Sequence, residues 1–357
     1  MSAALEPLLA DFAARRPAAL ARAVSIVENH REGSDALLAA VHAKVGGARR
    51  IGLTGPPGAG KSTLVMRLAA EWRARGLTVG IVAVDPTSPF TGGALLGDRI
   101  RMEAVALDPG IFIRSMATRG ALGGLAATTR EVADVLDAYG FDRLVIETVG
   151  VGQSELDIAR TADTSVVVLV PESGDSIQTM KAGLMEIADL FVVNKADRPG
   201  ADRLRHEVEL MLSLRLGQAY KNVPAHHGVD LARARRKPAV EQPAADDRWT
   251  PPVLASVASK GEGITELAAA LDRHFDYLVR SGTLRARRRA RLKDRVVDAA
   301  ERRLRARLWD DRANAEWLET QLDALESGAR SPFAVAEALL ERSADRLSAR
   351  PSDRSGA

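Results

Sequence analysis

The sequence predicts an α/β fold, a doubly wound and mostly parallel sheet with helices on both faces and helical extensions at its N- and C-terminal ends. Three observations predict it. Seven short β-branched runs follow one another between Arg50 and about Ser256: "RIGLTG", "VGIVAVD", "IFIRSM", "LVIETVG", "SVVVLVP", "LFVVNKAD" and "PVLASVAS". They are apolar on both faces and alternate with helical patterns, as buried parallel strands do. A glycine-rich turn joins the first run directly to a helical pattern, the strand, loop and helix order of an open α/β sheet.

Before the first strand the chain reads as helices. Leu20, Val24 and Val27 share one face at helical spacing, and Leu37, Val41 and Val45 share another. This sets an N-terminal helical extension at 1–47 and the α/β domain at 48–275. Within it, Asn222 to Pro252 is broken by prolines and charges and reads as a mobile connection before the last strand. From Leu267 the pattern returns to helix, most clearly in "LWDDRANAEWLETQLDALE" and "SPFAVAEALLERS". Residues 276–345 therefore form a helical arm with no sheet partner in sequence, and 346–357 a disordered tail.

With 357 residues, 46% of them apolar, the chain can bury a substantial core. It has no cysteine, which excludes a disulfide framework and a thiolate metal site and fits a reducing compartment. No apolar stretch reaches membrane-spanning length and the N-terminus lacks a signal pattern, so the expected location is the cytoplasm, away from membranes. Lys and Arg number 50 against 47 Asp and Glu, a net charge of +3. The run "LRARRRARLKDR", Leu284 to Arg295, reads as a solvated helix face rather than a nucleic-acid site, although its role stays open.

"GPPGAGKS", Gly55 to Ser62, fits G-x-x-x-x-G-K-[ST] between the strand "RIGLT" and the helix "STLVMRLAAEWRAR". Such a P-loop turns backbone N–H groups inward onto phosphates, and the helix N-terminus adds partial positive charge. Lys61 reaches the β and γ oxygens and the Ser62 hydroxyl ligates Mg²⁺. The expected phosphate contacts are Gly55, Gly58, Ala59, Gly60, Lys61, Ser62 and Thr63.

"NKAD" sets Asn194, Lys195 and Asp197 at the end of a late strand, where the ligand crevice of these sheets lies. A buried Asp carboxylate accepts both N1–H and the exocyclic amine of guanine, whereas adenine presents an acceptor at N1 and leaves it unpaired. GTP is thus expected over ATP. "VASKGEG" follows the last strand, with the Ala258 N–H in a position to touch guanine O6.

"LVIETVGVGQSE" ends a buried strand in Glu147 and Gly150, a carboxylate for Mg²⁺ and an N–H for the γ-phosphate. Val151 stands where small signalling GTPases carry a water-orienting Gln, so slow unaided hydrolysis is expected. In "DPTSPFTGGALLGDRIRM", Asp85 and Asp98 can approach Mg²⁺ and Arg101 the phosphates, while Gly92, Gly93 and Gly97 let the backbone rearrange. "PESGDSIQTMK" pairs Asp175 with Lys181, either as a moving element or as a helix start capped by Asp175.

Together with "ALARAVSIVEN" and "SGDSIQTMKAG", these motifs resemble the MeaB/ArgK-type GTPase chaperones of adenosylcobalamin-dependent methylmalonyl-CoA mutase over roughly residues 15 to 280. The resemblance implies a P-loop GTPase domain of SIMIBI-like type. It implies that Lys61, Asp98, Arg101, Glu147, Gln153 and Lys181 serve catalysis and switching, and that Ser62, Asp85, Asp98 and Glu147 lie at the Mg²⁺ positions. It also implies a homodimer through the C-terminal arm, and GTP hydrolysis that gates cofactor loading and protects or reactivates an acyl-CoA mutase. One departure is Val257, where many members have Ser. Two other classes remain as alternatives. A P-loop kinase needs an acceptor pocket and a base, for which the sequence shows no clear candidate. A metal-delivery GTPase needs clustered ligands, and only His226 and His227 adjoin.

Overall fold

The computed structural model describes residues 5–85, 107–117, 124–148, 158–171, 183–215, 248–309 and 312–344. The described residues fall into two compact units, divided between Arg288 and Arg289.

In the first unit all seven expected strands are present: β1 (Arg49–Thr54), β2 (Val79–Asp85), β3 (Ile111–Ala117), β4 (Arg143–Thr148), β5 (Thr164–Leu169), β6 (Leu190–Asn194) and β7 (Val253–Ser256). They form one sheet in the order β3-β2-β4-β1-β5-β6-β7, and every pairing is parallel. All strands therefore end on the same edge. The order doubles back around β1, and the crevice at that edge is where such sheets bind ligands.

Alternate side chains leave each strand on opposite faces, and both faces are dry. Val79 and Ile81 of β2, Val166 and Val168 of β5 and Leu190 and Val192 of β6 meet α4 (Lys61–Ala74) and a later helix, α7 (Ile264–Arg280). On α4 this contact is made by Leu64, Val65, Leu68 and Trp72, one stripe at helical period. Val82 and Val84 of β2 and Leu144 and Ile146 of β4 point the other way, into α1 (Leu5–Ala13), α2 (Pro17–Glu28), α3 (Ser34–Val41) and α5 (Gly124–Tyr139). Phe191 and Val193 of β6 meet α6 (Ala201–Arg215) through Leu204, Val208 and Leu212 on that second face.

The N-terminal helices thus share the core of the sheet. Pro17 starts α2 where no backbone donor is needed, and Leu20, Ala23, Val24 and Val27 are buried along one stripe. Leu37 and Val41 are buried as their spacing predicts. Val45 is only partly so, because the helix gives way to a 3-10 turn at His42–Lys44.

At the opposite edge of the sheet from the strand ends, buried carboxylates collect arginines. Arg50 lies 2.8 Å from Asp134 and 2.7 Å from Asp137. Asp163 pairs with Arg288 at 2.7 Å and Asp189 with Arg287 at 2.9 Å. Burial alone would raise the Asp189 carboxyl, but the His274 imidazole 3.3 Å away and hydrogen bonds from Arg287 outweigh it and hold the group below the usual carboxylate range. The solvated reading of the Arg-rich run is thereby corrected for two of its members. Arg287 and Arg288 fix the start of α8 (Thr283–Trp309) to the sheet, a role that helical periodicity cannot show.

In the second unit, α8 continues and is followed by α9 (Arg312–Glu319), α10 (Leu322–Glu326) and α11 (Pro332–Arg342). Ser331 caps α11 by accepting from the Ala334 N–H. Val335, Leu339 and Asn314 are buried, and Asn314 Nδ2 donates to the Leu308 carbonyl at 2.8 Å. No helix among the described residues is long and apolar enough to cross a membrane.

Candidate functional site

The glycine turn after β1 crosses the strand ends at close quarters. Gly55 has φ 139°, and a Cβ there would stand 2.1 Å from the Val168 carbonyl oxygen of β5. Gly60, at φ 84°, caps α4 and would place a Cβ 2.4 Å from Asn194 Nδ2. Only glycine meets both demands, a left-handed backbone and no side chain. Lys61 is buried at the head of α4, and its Nζ donates to the carbonyls of Gly55 at 2.8 Å and Pro56 at 3.0 Å. The ammonium is therefore held against the backbone of the glycine turn.

Ser62 Oγ donates to Glu147 Oε1 at 2.6 Å. Glu147 lies in β4 in register with Leu53 of β1 and Ala83 of β2, so its strand end stands between theirs. A hydroxyl and a carboxylate oxygen in contact beside a phosphate loop form a hard donor set, and this pair fits Mg²⁺. No cluster of three or more His, Cys, Asp or Glu side chains with metal-binding geometry occurs among the described residues. Asp85 ends β2 in register with Ala117, although its side chain lies outside the described residues. Asp98, Arg101, Gly150, Gln153, Asp175 and Lys181 also lie outside them.

On the other side of the loop, Asn194 closes β6 opposite Ser256 of β7. Its buried amide spans two loops. Nδ2 donates to the Ala59 carbonyl at 2.8 Å, and Oδ1 accepts from Ser256 Oγ and the Ala258 N–H, each at 3.1 Å. The sequence points Asn194 and the Ala258 N–H at the base, whereas here they bond to each other. Lys195 turns the chain at φ 56°. Asp197 is not buried as expected: its side chain is 40% exposed and lies 3.1 Å from Lys260 Nζ. Strand ends project beyond the sheet, so a residue three positions past Asn194 has left the core.

Gly55, Gly58, Ala59, Gly60, Lys61, Ser62 and Thr63 are thus brought to one edge with Glu147, Asn194, Lys195, Asp197 and Ala258. Two residues escape the sequence reading. Arg67 on α4 donates through Nε to the Ala258 carbonyl at 3.1 Å and through Nη2 to the Ser259 carbonyl at 2.7 Å. Lys260 stands within "VASKGEG", but spacing carries no sign of its reach to Asp197. An arginine on the polar side of a helix gives no signal either.

Residues 20–313 match the family model described as methylmalonyl Co-A mutase-associated GTPase MeaB. A Pyrococcus abyssi protein named as a GTPase is 49% identical, with 78% of each chain covered. The GTPase ArgK of Escherichia coli is 38% identical over 75% of each chain. Among solved structures, that of a LAO/AO transport system kinase superposes with TM-score 0.63 at 27% identity, covering 96% of this chain and 98% of that one.

Proposed function

The chain belongs to the MeaB family of methylmalonyl-CoA mutase-associated P-loop GTPases, and from that premise we propose a GTP-hydrolysing chaperone that gates adenosylcobalamin loading of an acyl-CoA mutase and protects or reactivates it. Methylmalonyl-CoA mutase is the favoured partner, in keeping with the family's description, and the cytoplasm the favoured location. The observation that carries this reading is the continuity of the site. Glu147 bonds Ser62 at one end of the phosphate loop, and Asn194 bonds Ala59 on the same loop and Ala258 beyond it. In this reading the phosphate loop and the base-side loops are coupled through Asn194.

Hydrolysis needs positioning and charge more than covalent help. Loop N–H groups and the N-terminus of α4 face the triphosphate, and Lys61 exchanges its two carbonyl partners for phosphate oxygens. Ser62 and Glu147 would hold Mg²⁺, which when bound supplies counter-charge to the β and γ oxygens. Water then attacks the γ-phosphorus in line, and GTP and water give GDP and inorganic phosphate. Glu147 sits where a change at the γ position can pass from Ser62 into the end of β4. The remaining readings, Asp85 and Asp98 toward the metal and Arg101, Gly150, Gln153 and Lys181 toward the γ-phosphate and switching, belong to the same proposal.

We also propose the homodimer through the C-terminal arm. In its support, α8 buries none of its residues, and Val296 and Leu304 on it are exposed.

Because Val151 replaces a water-orienting Gln, a partner is expected to complete the site. Saturating adenosylcobalamin-dependent mutase should raise the rate of phosphate release at least about tenfold, a small part of what trans-acting groups give other GTPases. Equal turnover with and without the mutase would overturn the chaperone reading.

A further inference from the structure

We propose that Lys260 is a positioning residue for base recognition: from the loop after β7 its ammonium holds the Asp197 carboxylate in the orientation that meets N1–H and the exocyclic amine of guanine. The inference deepens the guanine reading of Asn194 to Asp197 and rests on it.

The loops after β6 and β7 are joined at their bases, where the Ala258 N–H donates to Asn194 Oδ1, and again at their tips, where Lys260 meets Asp197. After β7, the Val257 N–H donates to the Glu262 carbonyl at 3.1 Å, and the Glu262 and Lys260 N–H groups donate back to the Val257 carbonyl at 3.3 and 2.9 Å. Arg67 grips the same loop through the carbonyls of Ala258 and Ser259. After β6, the Ala196 N–H donates to the Ser256 carbonyl and the Arg198 N–H to the Lys195 carbonyl, both at 3.0 Å. The backbone on either side is therefore fixed.

Burial does not hold the Asp197 side chain. It is 40% exposed, and a carboxylate with two free torsions must present both oxygens in one plane to read guanine. Lys260 Nζ lies 3.1 Å from Oδ2 and engages that one oxygen. A carboxylate has about four acceptor sites, so this leaves Oδ1 and a second lone pair on Oδ2 for the base.

Charge works in the same direction. The hydrogen bond from Lys260 holds the Asp197 carboxyl below its ordinary range, and Lys260 is raised in return. Arg198, on the same turn, adds to the lowering, and Glu262 faces Lys260. Asp197 thus stays ionised, and able to accept twice, to lower pH than a lone carboxylate. Without Lys260 its pKa rises toward the ordinary value, and affinity is lost at a higher pH as the solution is acidified.

The test is titration of GDP, IDP and XDP against the wild type, Lys260→Met, Lys260→Arg and Asp197→Asn across the acid range, with thermal melts alongside. IDP lacks the exocyclic amine and XDP replaces it with an oxo group. Lys260→Met should weaken GDP up to about fivefold, the scale of an exposed ion pair. It should also narrow the GDP-over-IDP ratio and move the acid limb to higher pH, leaving the melting temperature in place. Lys260→Arg should restore all three. A wild-type ratio and acid limb in Lys260→Met would overturn the inference while Asp197→Asn still turns preference toward XDP. Should Asp197→Asn keep the wild-type preference for GDP over XDP, the guanine reading itself fails and the inference falls with it.

Discussion

Lys61→Ala lowers single-turnover GTP hydrolysis by about 10²- to 10³-fold, the cost of removing one preorganised donor from a transition state of high charge. The ammonium is already in place. It is buried at the start of α4 and bonded to the carbonyls of Gly55 and Pro56, so little side-chain freedom is left to lose when it exchanges those carbonyls for phosphate oxygens. Its charge acts in a site of low exposure, where screening by solvent is weak. Phosphate release under single-turnover conditions, with nucleotide in excess of its Kd, separates the chemical loss from weaker binding. A change of less than about tenfold would remove Lys61 from the transition state.

Asn194→Ala loosens both the fold and the nucleotide. The side chain makes three hydrogen bonds, and its loss leaves the Ala59 carbonyl, the Ser256 hydroxyl and the Ala258 N–H without it in a buried setting. Each stranded group costs about 1 to 3 kcal/mol. Relaxation and water entry reduce the sum, so a loss of about 2 to 4 kcal/mol is expected in denaturant unfolding. GDP affinity should fall at least about tenfold, because the phosphate loop and the loop after β7 are no longer tied, and tenfold corresponds to about 1.4 kcal/mol. Asn194→Asp does not rescue, because it matches the shape but offers no donor to the Ala59 carbonyl. A stable, wild-type-affinity Asn194→Ala protein would show that Asn194 ties nothing.

Much of the sheet is legible in the sequence because its strands are buried on both faces. Val166 to Leu169 and Leu190 to Val193 have no polar side to confuse them, and all seven runs became parallel strands. The phosphate loop is legible because its spacing and the left-handed backbone at Gly55 and Gly60 are local, although the close contacts of those glycines with Val168 and Asn194 are not. What escaped is nonlocal. Arg287 and Arg288 look like two more charges on a polar helix until Asp189 and Asp163, just ahead of β6 and β5 and far back in the chain, come into reach. Asn194 reads as a base contact by its motif, while the fold also makes it the tie between β6, β7 and the phosphate loop. Val45 carried the helical period of Leu37 and Val41 one turn too far, because periodicity does not register where a helix tightens into a 3-10 turn.

The central claim is that the γ-phosphate at this site is read by a cobalamin-dependent mutase. A nucleotide biases a partner only through its difference in affinity between states. The most direct test is calorimetric titration of methylmalonyl-CoA mutase with the protein loaded either with GDP or with a non-hydrolysable GTP analogue. The account predicts dissociation constants at least about tenfold apart, about 1.4 kcal/mol. Equal constants for the two loaded forms would contradict it.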